Sequence, residues 1–324
     1  MPTPSNPSIL GRLVYHFVLA YSSLCRRLPQ KGLVVFGTFF GTLGYFLDVR
    51  HKRTIIRNLA FAYGKSRDRG EIRRLALKNF QQFAITAHEW LCLKDLDFEQ
   101  LQTHVTVKGL ENLKMAKASG RSVILVGAHF GNWEYGHIYY AKKINRLNFI
   151  VRAIENPFLE QERVSYNSEA GVNILYKHNG LRAAIRGLKR GEDLVIFVDR
   201  NTNLKEGIPC IFFGKKAPAL TIAVQLAKRL KLPMLPMFTI RSPSGIGHEL
   251  VFLPEIELDE GHDGGLENAV QKLCSVVESM IRKHPDHWIW FHKRWKHFYP
   301  QLYPEDMARR ERRRAKRRKT RLNA

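Results

Sequence analysis

Apolar residues recur with two different periods along this chain of 324 residues, and the change of period falls near residue 105. The stretches "RTIIRNLAFAYG" and "EIRRLALKNFQQFAITAHEWLCL" precede it. In the second stretch, apolar positions are three or four residues apart: Ile72, Leu75, Ala76, Phe80, Phe83 and Ala87. This period is typical of amphipathic helices, so both stretches are predicted as helices that pack one face on a core.

After residue 105, short apolar runs alternate with helical patterns. Strands are predicted at "VTVKG", "SVILVGA", "NFIVRAI", "VNILY", "DLVIFVD", "PMLPMFTIR" and "HELVFLPEIEL". Helices are predicted at "LENLKMAKASG", "GLRAAIRGLKRG", "APALTIAVQLAKRLKL" and "LENAVQKLCSVVESMIRKHP". Such alternation predicts an α/β fold in which helices cover both faces of a mixed sheet.

Two apolar stretches near the N-terminus do not fit the sheet pattern. "LVYHFVLAYSSL" and "LVVFGTFFGTLGYFL" are each shorter than the roughly 20 residues that cross a bilayer upright, and basic residues flank both. We expect an N-terminal hydrophobic helical membrane anchor, a hairpin or a shallow helix at the cytoplasmic surface. Two ordinary core helices are the alternative. The segment has no basic n-region or A-x-A site of a signal peptide.

The distribution of charge indicates an acidic partner and a separate basic segment at the C-terminus. The formal net charge is +24, and the ten Arg or Lys and one Glu between Met307 and Ala324 supply +9 of it. The predicted domains are a membrane-associated segment at 1–50, an α/β domain at 51–304 and a basic disordered tail at 305–324. The remaining +15 lies in the body, so an acidic partner is expected: nucleic acid, anionic lipid or an acidic carrier protein.

The cysteines carry no chemistry of their own in this pattern. Cys25, Cys92, Cys210 and Cys274 are far apart and show neither C-x-x-C nor Cys/His metal spacing. We predict free thiols in a reducing compartment and no metal site.

The candidate chemistry lies in "SVILVGAHFGNWEYG", where a buried strand ends at His129. Residues five apart on one helix point about 140° away from each other, so His129 and Glu134 would not meet on a continuous helix. A turn at Gly131 changes this, since Glu134 would then lie in the first turn of the next helix. It could orient the imidazole as a general base at the strand ends. A capping histidine and a surface glutamate are the alternative.

Several further blocks extend this pair into a family resemblance. "HFGNWE" matches an H-x4-D/E signature, and the chain also contains "RHKRTIIRNLAFAYG", "FIVRAIENPFLEQERVSYNSEAGVNIL", "LVIFVDRNTNLKEGIPCIFFGKKAPALTIAVQLAKRL" and "HPDHWIWFHKRWK". Taken in this order, over about residues 10 to 300, they resemble the lipid A biosynthesis late acyltransferases, the lauroyl and myristoyl transferases of Gram-negative bacteria. The resemblance implies a glycerolipid acyltransferase-like fold.

The resemblance also implies roles for individual residues. His129 and Glu134 would be the catalytic general-base pair. Since the chain has no G-x-S-x-G elbow, direct attack by the acceptor hydroxyl is expected, without an acyl-enzyme. The expected substrate-binding residues are Arg152, Arg163, Asp199, Arg200 and Asn132. Alternatives are salt bridges from the arginines to Glu155 or Glu160, and a capping role for Asp199.

Two apolar or aromatic segments have two interpretations each. "GIPCIFFG" either lines an acyl groove or forms a β-hairpin on the core. "WIWFHKRWKHFY" suits a membrane interface, which the N-terminal apolar pair favours, or single-stranded nucleic acid.

The function expected from the resemblance is transfer of a fatty acyl chain to a hydroxyl of a lipid A precursor. The donor would be acyl carrier protein or acyl-CoA as co-substrate, with no cofactor. The expected partners are acyl carrier protein, a phosphorylated glycolipid acceptor and anionic membrane lipids, without nucleic acid, at the cytoplasmic face of the inner membrane. Alternatives are a lysophospholipid or mannoside acceptor, or a non-enzymatic basic binder.

Overall fold

A central sheet, described in a computed structural model for residues 9–93, 98–258, 265–309 and 311–312, organises the chain. The strands are β1 (Val105–Lys108), β2 (Ile124–Gly127), β3 (Leu147–Val151), β4 (Val172–Tyr176), β5 (Asp193–Phe197), β6 (Gly207–Phe212), β7 (Lys215–Leu220), β8 (Met234–Arg241) and β9 (His248–Phe252). Seven of them form one sheet in the order β1-β9-β8-β2-β5-β3-β4, while β6 and β7 pair as a hairpin. Only the β8–β9 contact in the large sheet is antiparallel, so the sheet is mixed and mostly parallel.

Helices flank this sheet on both faces. They are α1 (Ile9–Arg26), α2 (Gln30–Leu47), α3 (Val49–Tyr63), α4 (Arg69–Cys92), α5 (Phe98–Thr103), α6 (Leu110–Lys117), α7 (Trp133–Lys143), α8 (Pro157–Ala170), α9 (Lys177–Lys189), α10 (Ile222–Leu230) and α11 (Gly265–Lys283). Alternate residues of β2 face opposite sides: Ile124 and Val126 join a core with α3, α4, α9, α10 and α11, and Leu125 joins one with α6, α7 and α8. The predicted α/β class is therefore confirmed.

The sequence patterns missed several local features, among them the short helix α5. The helix predicted at "APALTIAVQLAKRLKL" begins only at Ile222, because Ala217, Pro218 and Ala219 are buried residues of β7, which pairs with β6. Helix α8 was not predicted, although Asn156 caps its N-terminus. Pro157 in the first turn and Gly171 in the left-handed conformation after its end were available signals.

The N-terminal apolar stretches are the helices α1 and α2. No single helix within the described ranges has both the length and the apolar composition that crossing a membrane requires. The segments Gln30–Leu47 and Val49–Ser66 are long and apolar enough only when taken together, and the chain bends by 91° between them. The membrane anchor therefore stays a prediction.

Helix α2 packs closely against α4 through a row of glycines. A Cβ on Gly37 would lie 2.6 Å from the Cα of Ile85, and one on Gly41 would lie 2.5 Å from the Cα of Gln81. A Cβ on Gly44 would meet only the ring of Phe80, at 3.4 Å. Gly37 and Gly41 thus allow the backbones of α2 and α4 to come into contact, whereas a larger residue would fit at position 44.

The start of the predicted tail is tied to the body. Residues 304–309 are helical. Glu305 forms an ion pair with Arg57, with 2.8 Å between Oε2 and Nη1. Asp306 forms ion pairs with Lys293 and Lys296. Residues 310 and 313–324, where most of the predicted disorder falls, lie outside the described residues. The three-part division itself stays a prediction.

Substituting the packed glycines should separate α2 from α4. For Gly41→Ala we expect the free energy of unfolding to fall by about 1–3 kcal/mol, because the new methyl group meets the backbone of α4. For Gly44→Ala it should stay unchanged or rise by up to about 1 kcal/mol, since alanine favours the helix. Urea unfolding in detergent micelles measures both, and equal effects of the two substitutions would contradict this packing.

Candidate functional site

His129 lies in the turn between β2 and α7. Gly131 in this turn has a φ of 56°, and a Cβ there would lie 1.8 Å from the carbonyl oxygen of Thr239, so only glycine fits. The Gly131 N–H donates to the His287 carbonyl at 2.9 Å, and the Ile289 N–H donates to the His129 carbonyl at 3.1 Å. The turn is therefore held between β8 and the segment that follows α11.

The hydrogen-bonded partner of the His129 ring is Asp199, which follows β5. Because β2 and β5 are parallel neighbours, their carboxyl ends meet at one edge of the sheet. His129 Nδ1 lies 3.0 Å from Asp199 Oδ1, and the His129 N–H donates to Oδ2 at 3.0 Å. The Trp288 indole N–H also donates to Oδ2, at 2.9 Å.

These contacts set the protonation of the pair. Burial alone would raise the pKa of the wholly buried Asp199, but His129, His292 and Trp288 outweigh burial and hold the pKa below its usual range. An ionised carboxylate only accepts hydrogen bonds, so Nδ1 of His129 carries the proton. In the neutral ring, Nε2 then carries the lone pair, and it has no hydrogen-bond partner among the described residues. This is the arrangement of a general base.

Glu134 does not take the position expected for it. Within the described part of the chain no hydrogen bond joins it to His129; instead its Oε1 accepts from the Trp133 indole at 3.2 Å. Burial raises its pKa, opposed by Arg163 and by hydrogen bonds from Trp133 and Tyr166. The expected pairing is thus corrected. Glu134, in the first turn of α7, faces α8, while β5 brings Asp199 to the imidazole. A catalytic role for Glu134 stays a prediction.

Arg152 and Arg200 lie together at this edge of the sheet. Burial lowers the pKa of Arg200, and the positive charge of Arg152 lowers it further. The nearby charge of Asp199 opposes this lowering. No ion pair involves either guanidinium among the described residues. A cavity of about 490 Å³ opens here, lined by Arg152, Asn201, Thr202, Asn203, Glu206, Lys296, His297 and Pro300. Two neighbouring guanidinium groups with no ion pair among the described residues, beside a cavity, make an anion-binding site physically reasonable.

Arg163 and Asn132 are more engaged within the protein than expected. Arg163 Nη2 donates to Glu160 Oε1 at 2.7 Å and to the Arg152 carbonyl at 3.0 Å, as in the salt-bridge alternative, while its buried Nε has no partner. Asn132 is fully buried, and its Oδ1 caps α7 by accepting from the Tyr135 N–H at 3.4 Å. Substrate contacts by these two residues stay predictions.

Sequence reasoning did not single out His292. Its ring centroid lies 5.0 Å from that of His129, and burial lowers its pKa to about 4. It belongs to "WIWFHKRWKHFY", which was expected at a membrane interface. That expectation is wrong for the tryptophans, because Trp288, Trp290 and Trp295 are fully buried in the core. The sequence signal that could have identified His292 is its place in this block, between Trp290 and Trp295.

Two other expectations have an outcome. "GIPCIFFG" forms the hairpin alternative, with Phe212 and Phe213 buried in the core. All four cysteines are free, as predicted, and Cys210 and Cys274 are neighbours in the core. Among residues 9–93, 98–258, 265–309 and 311–312, no group of three or more His, Cys, Asp or Glu side chains is arranged to hold a metal ion.

The fold and this edge define an α/β protein in which a part-exposed histidine pairs with a buried aspartate at the carboxyl ends of parallel strands. A family model, bacterial lipid A biosynthesis acyltransferase, matches residues 5–297. The chain therefore belongs to this acyltransferase family, as its sequence blocks indicated, and is an acyltransferase of the lipid A type.

The relatives found are distant. The chain is 23% identical over 271 residues to the lipid A biosynthesis lauroyltransferase of Escherichia coli K12, covering 83% of this chain and 87% of the relative. The palmitoleoyltransferase of the same strain gives the same figures. A phosphatidylinositol mannoside acyltransferase of Mycobacterium tuberculosis is 21% identical over 192 residues, covering 58% of this chain and 59% of the relative.

The raised pKa of Glu134 predicts how stability depends on pH. Because the folded protein holds this proton more tightly than the unfolded chain, the associated stability is complete below about pH 4 and is lost as the pH rises through the folded-state pKa. Glu134→Gln removes this loss, so the variant should gain stability relative to the unmodified protein as the pH rises from 4 to 8. Urea unfolding at several pH values measures the difference.

Glu160→Gln is the matched control, with the opposite sign. The Ile154 N–H, Tyr176 and Arg163 outweigh burial and lower the pKa of Glu160. Its stabilisation is therefore present above the unfolded pKa of about 4.3 and lost as the pH falls through the lower folded pKa. This variant should lose stability relative to the unmodified protein as the pH rises. Parallel stability curves for E134Q and the unmodified chain would contradict the burial of that charge.

Proposed function

We propose that the protein transfers a fatty acyl chain from acyl carrier protein, or less favourably acyl-CoA, to a hydroxyl group of a lipid A precursor. One observation carries the proposal. His129, with Nδ1 bonded to Asp199 and Nε2 unpartnered within the described ranges, lies at the carboxyl edge of a parallel sheet. The relatives named above support the acyl group and the glycolipid acceptor.

The reaction proceeds by direct attack. His129 Nε2 takes the proton of the acceptor hydroxyl while its oxygen attacks the thioester carbonyl, and the tetrahedral intermediate collapses with loss of the thiolate. The imidazolium then gives its proton to the leaving sulfur, so the pair ends as it began. Asp199 holds the ring in the required tautomer and stabilises the imidazolium. A catalytic role for Glu134 remains part of the proposal, although no hydrogen bond joins it to His129 among the described residues.

The cavity lined by Arg152, next to Arg200, is the proposed phosphate-binding site. Arg152 and Arg200 would hold a phosphate of the acceptor, because guanidinium groups bind phosphate through paired N–H donors. The formal net charge of +24 favours an acidic carrier protein as donor and anionic lipid as surroundings. No cofactor is required by this chemistry.

The N-terminal helices would place the protein on the cytoplasmic face of the inner membrane. They expose large apolar side chains: Ile9, Leu10, Leu13, Val14, Phe17, Leu24, Val35, Phe39, Leu43, Phe46 and Leu47. Basic residues flank the apolar stretches 13–24 and 33–47 of these helices in sequence, at Arg12, Arg26, Arg27, Lys31, Arg50, Lys52 and Arg53. An apolar surface with a basic rim suits the boundary of an anionic leaflet.

Replacing either member of the pair tests the chemistry. His129→Ala should lower the rate of acyl transfer by about 10²–10⁴-fold or more, and Asp199→Asn should act in the same direction by favouring the wrong tautomer. The assay follows the acylated lipid by mass spectrometry with purified protein. Each variant is compared at equal folded fraction, with His51→Gln, an exposed histidine, as control.

The same assay has arms for donor and acceptor. Acyl carrier protein and coenzyme A thioesters are offered with a lipid A precursor, a phosphatidylinositol mannoside or a lysophospholipid. Transfer by H129A at the unmodified rate would overturn the mechanism. Transfer only to an acceptor other than the lipid A precursor would overturn the proposed substrate.

Membrane binding is tested by making the exposed apolar surface polar. The triple variant Phe17→Ser, Phe39→Ser, Phe46→Ser should bind vesicles containing phosphatidylglycerol at least about tenfold more weakly, because each phenylalanine contributes about 1.5–3 kcal/mol when fully buried. The control is Met115→Ser, Leu181→Ser, Ile211→Ser, which changes exposed apolar residues elsewhere. Equal flotation of both variants with vesicles would contradict the proposal.

A further inference from the structure

A fully buried carboxylate, Glu89 of α4, lies between the sheet and the turn that carries His129. Arg241, at the end of β8, donates to both carboxylate oxygens, with 2.7 Å between Nη2 and Oε2 and a shorter contact from Nη1. His248 of β9 contributes Nε2 at 3.4 Å from Oε2, without hydrogen-bond geometry. Burial would raise the pKa of Glu89, but Arg241 and His248 outweigh it and hold the pKa low. Glu89 is therefore a fixed negative charge.

One donor to this carboxylate comes from the His129 turn itself. Asn132 Nδ2 donates to Glu89 Oε2 at 2.8 Å, while Oδ1 of the same side chain caps α7. Asn132 is three residues after His129, and both Asn132 and Glu89 have no exposed surface. Any displacement of the turn must therefore break a hydrogen bond to a buried charge, which is costly in a low-dielectric interior.

Arg241 also joins the second support of the turn. Its backbone N–H donates to His287 Nε2 at 3.3 Å, and the carbonyl of His287 accepts from the Gly131 N–H at 2.9 Å. The Nε of Arg241 donates to Gln82 of α4 at 2.9 Å. Residues on α4, β8 and the segment after α11 thus converge on the four residues from His129 to Asn132.

We propose that Glu89 is a positioning residue for the reaction: through Asn132 it fixes the turn that aims the imidazole of His129 at the substrate. Glu89 itself contacts no substrate, and Arg241 keeps its charge in place. This inference rests on the proposed function in that His129 is the base. It adds a residue that no sequence block indicated and explains why Asn132 is buried.

The decisive variant is Asn132→Ser. Serine is as good an N-cap as asparagine, so α7 keeps its cap, but the donor to Glu89 is lost. We expect kcat to fall by about 10–100-fold, the size of effect that small misplacement of a catalytic group produces, with KM for the acyl donor changed less than about threefold. Glu89→Gln should have a similar effect on kcat per folded molecule, and the double variant should be no slower than the slower single variant.

Lys117→Met is the matched control. Lys117 pairs with the buried Asp193, at 2.7 Å between Nζ and Oδ2, at the start of β5, the end opposite Asp199. Like Asn132→Ser, this substitution removes a hydrogen-bond donor from a buried carboxylate, but far from His129, so it should lower stability without changing kcat. The comparison separates general weakening of the fold from misplacement of His129.

A second readout does not depend on turnover. The Nδ1 proton of His129, assigned by its loss in H129A, should broaden or shift in the ¹H–¹⁵N spectrum of N132S and not in that of K117M. If the protein transfers no acyl group, the proposed function fails while this measurement still tests the positioning. An unchanged imidazole signal in N132S, an unchanged kcat, or additive losses in the double variant would overturn the inference.

Discussion

The hydrogen bonds between His129 and Asp199 are the constraint on which the rest of the site depends. They exist because β2 and β5 are parallel neighbours whose carboxyl ends meet. Everything near them either holds this geometry or borders it. Trp288 fixes the aspartate, Gly131 lets the turn approach β8, and the arginines follow the adjacent strand ends. The chain belongs to an acyltransferase family, and the proposed mechanism assigns the proton transfer to this pair.

Local patterns predicted the sheet well and the pairing of side chains poorly. Buried runs such as that around Val126 predict a strand because nothing else accommodates so many consecutive apolar residues. The partner of His129 was placed five residues away at Glu134, because sequence spacing shows only near neighbours. Asp199 is 70 residues further along, and strand order alone brings it to the imidazole. That order cannot be read from periodicity.

The same limit explains Trp288, Glu89 and β7. Aromatic and basic residues together suggested a membrane interface, yet three tryptophans fill the core, where the indole of Trp288 donates to Asp199. Glu89 lies on an amphipathic helix in which a glutamate would ordinarily face solvent, and its burial depends on partners from other elements, chiefly Arg241. The strand β7 resembled a helix because Ala217 and Ala219 carry little β preference. Its partner strand decided the conformation.

The glycine contact of α2 with α4 has a mechanical consequence. Gly37 contacts α4 at Ile85, and Glu89 lies four residues further along the same helix, a rise of about 6 Å. Tyr21 of α1 is hydrogen-bonded to His88 of α4, with 2.7 Å between Oη and Nε2. Helix α4 therefore links the apolar N-terminal helices directly to Glu89, the residue proposed to position His129. If those helices rest on a bilayer, the height and tilt of the imidazole above the lipid headgroups are therefore set by the position of α4.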